Sequence, residues 1–261
     1  AAAGDQGGMR IELKNEIPVY TPSSDSDFQK WLTHYRYDKT PMDPQIVETK
    51  ETAEWRREKI TFNGADGERA IAYLYLPKNF SRPSQVIHFV PHSGLEEGTL
   101  PFENTIESYL APFIKSGRAV FGVVLKGYSE RPRPDNSVAP APTTVEYRDR
   151  VVNWITDLRR GVDYLETRND IDSSRIACFT LSSGGRTGLI LNAVENRYRS
   201  IFMAAAGVRK FTTQWVPETN PINFAPHIHG PKLMMHGRYD EILTWKREAE
   251  PLYKLLREPK R

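Results

Sequence analysis

Short apolar runs, spaced by longer amphipathic stretches, dominate the middle and end of the chain. The runs fall at 86–90, 119–125, 176–179, 201–206 and 233–235. Between them, residues 106–114 read as a helix ended by Gly117. Val151, Trp154, Ile155, Leu158, Val162 and Leu165 recur with a helical period. Helix-compatible segments follow at 187–196 and at roughly 245–256. Buried runs alternating with amphipathic helices predict a mostly parallel central sheet with helices on both faces. The upstream texture differs. Residues 59–62 and 71–76 flank Asn63-Gly-Ala-Asp-Gly67, a hairpin signal that predicts antiparallel strands. Before it, Phe28, Trp31, Leu32 and Tyr35 form one stripe of a helix over 28–37, with Ser24 or Asp25 as its cap. The segment 38–44, rich in proline and aspartate, breaks that helix. The expected fold class is therefore α/β, with an antiparallel hairpin ahead of a parallel sheet.

Composition narrows the partners. With 261 residues, 39% hydrophobic and 26% charged, one α/β domain with a large core is expected. The net charge is +3 without a concentrated basic stripe, which argues against nucleic acid as a partner. No apolar stretch approaches the ~20 residues of a membrane span. The first eight residues lack the basic and apolar regions of a signal peptide, so a cytoplasmic location is the default. Residues 1–27 are polar and read as a linker or N-terminal extension, leaving 28–261 as the domain. The single cysteine, Cys178, excludes an internal disulfide and sits in an apolar run, where it reads as a small buried hydrophobe. The proline-stiffened segment around 131–142 reads as a loop beyond a strand end, a usual rim for a ligand crevice.

The candidate chemistry lies in Arg175-Ile-Ala-Cys-Phe-Thr-Leu-Ser-Ser-Gly-Gly-Arg-Thr-Gly188. Strand, tight turn with a serine, then helix is the layout of a nucleophile elbow. A serine hydroxyl needs a base to take its proton and donors to hold the developing oxyanion. The turn projects Ser182 and aims the Ser183 N–H at the substrate oxygen, while Gly184, Gly185 and Gly188 permit the close approach of helix and strand. Thr180 stands where the pattern G-x-S-x-G has its first glycine. Asp240 follows Ser182 by 58 residues at the end of an apolar run, in the order expected of a triad whose histidine comes last. Glu241 is the fallback acid, and a turn or capping role for Asp240 stands beside the catalytic one. The loop after 86–90 should supply a second oxyanion donor from the backbone of His92 or Ser93. Tyr128, Trp215 and Phe224 are candidate pocket walls.

Residues 55–62, 72–78, 115–120, 157–168 and 221–226, with Tyr37-Asp-Lys-Thr-Pro41 and Gly237-Arg-Tyr-Asp240, resemble an α/β-hydrolase domain. The likeness is to the hydrolase domain at the C-terminus of some multidomain bacterial serine/threonine kinases. More distantly, the chain is similar to acetyl xylan esterase and dienelactone-hydrolase-like enzymes. The resemblance covers about 28–261 and implies Ser182 as nucleophile, Asp240 as acid and no metal or other cofactor. It also implies a histidine one strand beyond the helix that follows the acid. None of the six histidines follows Asp240, so the C-terminal strand and its histidine are expected to lie past Arg261. His92 is a possible but unusual base. His34, His88 and His236 read as packing or structural residues. His227 and His229, an H-x-H pair without a third ligand, read as a polar lead-in to a strand. The expected function is a carboxylesterase-like serine hydrolase acting on a small-molecule ester. The alternative is a non-catalytic binding or sensor module of the same fold.

Overall fold

The computed structural model describes residues 19–95, 100–133, 138–209 and 213–261. Eight strands form a single sheet: β1 (Gln45–Glu51), β2 (Trp55–Asn63), β3 (Arg69–Pro77), β4 (Ser84–Val90), β5 (Ala119–Val124), β6 (Ile171–Leu181), β7 (Ser200–Ala204) and β8 (Lys232–Met235). Their order is β1-β2-β3-β5-β4-β6-β7-β8. β1, β2, β3 and β5 pair antiparallel, and β5, β4, β6, β7 and β8 run parallel. The helices are α1 (Asp25–Trp31), α2 (Phe102–Tyr109), α3 (Ala111–Lys115), α4 (Val145–Glu166), α5 (Gly184–Val194), α6 (Pro221–Phe224) and α7 (Glu250–Leu255). The mixed, mostly parallel sheet with its antiparallel hairpin is the architecture expected from the sequence.

Local rules explain most boundaries. Ser24 caps α1 by accepting the Asp27 N–H at 3.2 Å, so that helix starts three residues before Phe28 and passes into a 3-10 turn ending at Tyr35. Ser23, on the other side of the cap, donates from its backbone and hydroxyl to Asn223. The helix expected over 106–114 is two, α2 and α3, joined at Leu110 where Pro112 enters the first turn of α3. Gly117 follows at φ 86°, a conformation that favours glycine. The last helix opens with a π turn over Trp245–Ala249 before α7.

A buried pair fixes the hairpin to the helix layer. Asp157 of α4 accepts the Ala65 N–H and the Arg131 Nη1, each at 2.7 Å. Both side chains are almost fully buried. One carboxylate thus ties the β2–β3 turn, α4 and the loop after β5. Gly64 is required there, because a Cβ would lie 2.4 Å from Asp157 Oδ1.

The sheet order reverses between β4 and β6. β5 lies to one side of β4, whereas β6, β7 and β8 lie to the other. Carboxyl ends of parallel strands at such a switch point leave a crevice where ligands bind. The Ser93 loop follows β4 and the serine turn follows β6, so both candidate loops face this crevice. At the far edge, residues 259–261 run parallel to β8, with the Arg261 N–H donating to Lys232 O at 2.9 Å.

Candidate active site

Ser182 sits between β6 and α5 with φ 52°, a left-handed conformation that costs a non-glycine residue of order 1–3 kcal/mol. Its N–H donates to Ala204 O at 2.9 Å, and its carbonyl accepts the Gly185 N–H at 2.9 Å. The turn is therefore held on β7 and on the first turn of α5. A Cβ at Gly184 would lie 2.7 Å from Pro91 O and 2.8 Å from Val90 O, so only glycine lets α5 start against the end of β4. Thr180 is accommodated by Gly188: a Cβ there would meet Thr180 Cγ2 at 2.3 Å. The threonine methyl occupies the space that glycine leaves one turn into the helix. Its hydroxyl is buried and has no hydrogen-bond partner among the described residues, a modest cost borne at the elbow.

The loop after β4 is locked to the elbow by its hydroxyls. Ser93 N–H donates to Ser183 Oγ at 2.7 Å, and Ser183 Oγ donates to Ser93 Oγ at 2.8 Å. Ser183 itself stands at the start of α5, where first-turn amides have no intrahelical acceptor. His92 is not among the described residues that line the cavity around Ser182. Its Nδ1 accepts the Gly94 N–H at 3.0 Å, and its ring meets Tyr109 edge-on at 6.0 Å. Burial pushes its ring below the usual histidine range, which matches the neutral form that this bond requires.

A cavity of about 190 Å³ opens over Ser182, walled by Ser93, Ser183, Arg186, Arg209, Ile242 and Leu243 among others. Ile242 and Leu243 belong to the acid loop, and Asp240 accepts both of their N–H groups at 2.9 Å. These bonds, led by that from Leu243, hold its carboxyl below the usual carboxylate range. His236 lies behind the acid: its Nε2 bonds Leu243 O and is 3.9 Å from Asp240 Oδ2. Glu241 is exposed.

The remaining candidates separate cleanly. Tyr128 and Trp215 line a second chamber, of about 340 Å³, that shares Ser93, Ser183 and Arg186 with the first. Phe224 does not reach it: its ring is buried against Phe28 and Tyr35. His88 is fully buried in β4, its Nδ1 2.8 Å from the Tyr198 hydroxyl. His227 stacks on Phe28 at 3.6 Å, and His34 and His229 are exposed. Cys178 is buried with its thiol pushed up to about 12 by desolvation, so it is inert. Among the described residues no three His, Cys, Asp or Glu side chains gather as a metal site, and no helix is long and apolar enough to cross a membrane. The sequence reading missed Arg186 and Arg209. The signal for Arg186 was its place in the first turn of the helix that follows the elbow, where it walls the same cavity.

The strand–Ser182–helix turn on this sheet defines an α/β-hydrolase fold. Comparison with solved structures bears this out. The acetyl xylan esterase from Paenibacillus sp. R4 superposes with a TM-score of 0.69 at 17% identity, over 94% of this chain and 88% of that one. Acetyl xylan esterase 1 from Thermoanaerobacterium sp. JW/SL YS485 gives 0.71 at 15% identity, over 93% and 87%. The glucuronoyl esterase from Solibacter usitatus gives 0.56 at 15% identity, over 92% and 87%. In sequence, the chain is similar to YfhR, an uncharacterized protein of Salmonella typhi, with 23% identity over 225 residues, 78% of this chain and 70% of that protein. No protein-family model matches the chain.

Proposed function

We propose that the protein is a carboxylesterase-like serine hydrolase in which Ser182 is the nucleophile. The observation that carries this reading is the strained φ of 52° at Ser182, held at a cavity that the Asp240 loop also walls. Backbone strain of this kind persists where the surrounding structure demands it, and here it projects one hydroxyl into a crevice. The esterases among the fold's solved relatives add support from analogy.

In this reaction Ser182 Oγ bonds to the ester carbonyl carbon while its proton passes to a histidine. The carbonyl oxygen becomes the oxyanion, held by the Ser183 N–H and by the backbone of the His92–Ser93 loop. Ser93 N–H must exchange its Ser183 Oγ acceptor for the substrate oxygen to take part. Collapse breaks the ester C–O bond, and the histidine returns its proton to the leaving alcohol. Water then attacks the acyl-enzyme by the same route and releases the acid. Asp240 orients the histidine and stabilises its charged form. We assign the base to a histidine following Arg261. The support is the parallel pairing of residues 259–261 on β8, which directs the chain along the strand that ends near Asp240.

A second reading, a non-catalytic binding module, is favoured by two facts. Ser93 N–H is already engaged by Ser183 Oγ, and no histidine lines the Ser182 cavity among the described residues. Ser182→Ala in the full-length protein separates the two. The hydrolase reading expects at least about a 10³-fold loss of ester turnover with an unchanged thermal transition. Turnover that is absent from wild type supports the binding module, and turnover that is unchanged in the variant overturns Ser182 as the nucleophile.

A further inference from the structure

The chamber beside the Ser182 cavity is walled by two matching stacks. The Arg186 guanidinium lies over Trp215 at 5.3 Å, and Tyr147 meets Trp215 edge-on at 5.4 Å. The Arg150 guanidinium lies over Trp154 at 4.3 Å, and Tyr128 meets Trp154 edge-on at 5.5 Å. A guanidinium placed over an aromatic ring is held there by cation–π attraction and keeps its planar fork of N–H donors. That planar fork matches a carboxylate and is already ordered before the ligand arrives.

The charge balance points the same way. Arg186 stands in the walls of both chambers, and no Asp or Glu does among the described lining residues. Arg186 makes no ion pair among the described residues, unlike the arginines of the distant Glu195 cluster. Among the described lining residues it is also the one cation common to both chambers. It stands in the first turn of α5, so its place relative to Ser182 is set by helix geometry and not by a loop.

We infer that Arg186 is a specificity-determining residue, and that the protein acts on esters bearing a free carboxylate. The carboxylate docks on Arg186 in the aromatic chamber while the ester carbonyl lies over Ser182. This names the substrate class of the site proposed above and rests on that hydrolase reading. A fixed cation here discriminates by what a neutral ester leaves unpaired, the stronger form of selectivity.

Two matched substrate pairs test it in the full-length protein. Mono-4-nitrophenyl glutarate and 4-nitrophenyl valerate differ by a carboxylate on the acyl side. 4-Acetoxybenzoate and phenyl acetate differ by one on the alcohol side. In at least one pair the anionic ester should have a kcat/KM about 10-fold higher. Arg186→Gln should remove that preference, leave the neutral partner within about 3-fold, and be partly rescued by Arg186→Lys. Equal kcat/KM within both pairs, or an equal loss on both members, overturns the inference and leaves the hydrolase reading intact. If no ester is turned over, the hydrolase reading fails. The carboxylate site is then judged by calorimetric titration of the Ser182→Ala protein with benzoate and monomethyl glutarate. Saturable binding of either that Arg186→Gln abolishes supports it, and binding of neither overturns it.

Discussion

At the residue scale the elbow is a negotiated contact between Thr180 and Gly188. A threonine in place of the usual small residue is tolerated because the glycine one helical turn along yields its volume. The two positions are therefore coupled. Gly188→Ala should destabilise the protein by about 2 kcal/mol through overpacking against the threonine methyl. Adding Thr180→Ser, which removes that methyl, should recover most of the loss. Urea unfolding of the two variants checks this, and additive effects would deny the coupling. Ser182 was readable from the run of small residues after an apolar strand. The Ser183–Ser93 link was not, because it joins positions 90 residues apart through hydroxyls that carry no sequence pattern.

At the scale of elements, the apolar runs marked β4 and β5 because those central strands are buried on both faces, whereas Leu233 and Met235 in the run that marked β8 are exposed. β5 shows the extreme, with all six residues buried. β1 shows the opposite: all seven of its residues are exposed, so no alternation betrayed it. It forms because β2 offers it an antiparallel edge, with a bulge between Ile46 and Glu48. The hairpin, α4 and the loop after β5 are joined by Asp157, whose burial the sequence did not announce. Asp157→Asn should cost about 3 kcal/mol, since it leaves the buried Arg131 guanidinium with only the more distant Glu68 carboxylate, at 3.7 Å. The double variant with Arg131→Met should regain part of that, measured by the same urea transitions. An equal or larger loss in the double variant would show that the pair matters through packing alone.

On the scale of the whole molecule, the sheet carries a buried histidine at its centre. His88 lies in β4, paired to Cys178 of β6, and burial pushes its ring down to about 3. The unfolded chain takes up this proton near pH 6.5, whereas the folded protein resists it until about pH 3. The contribution is therefore fully present above pH 6.5 and is lost as the pH falls through that window. Between pH 7 and pH 5 the protein should lose about 2 kcal/mol from this group. His88→Gln, which keeps an acceptor for the Tyr198 hydroxyl, should flatten that slope. An unchanged slope would place the loss elsewhere. The same sheet brings the Ser93 loop and the Ser182 turn to its switch point and sets the Asp240 loop beside them.

The central claim is that Ser182 is an activated nucleophile, and covalent labelling tests it most directly. The full-length protein is treated with a fluorophosphonate probe, and the adduct is located by peptide mass spectrometry. The account predicts one stoichiometric adduct, on Ser182, that is absent from Ser182→Ala. An unlabelled protein, or an adduct carried by another residue, would contradict it.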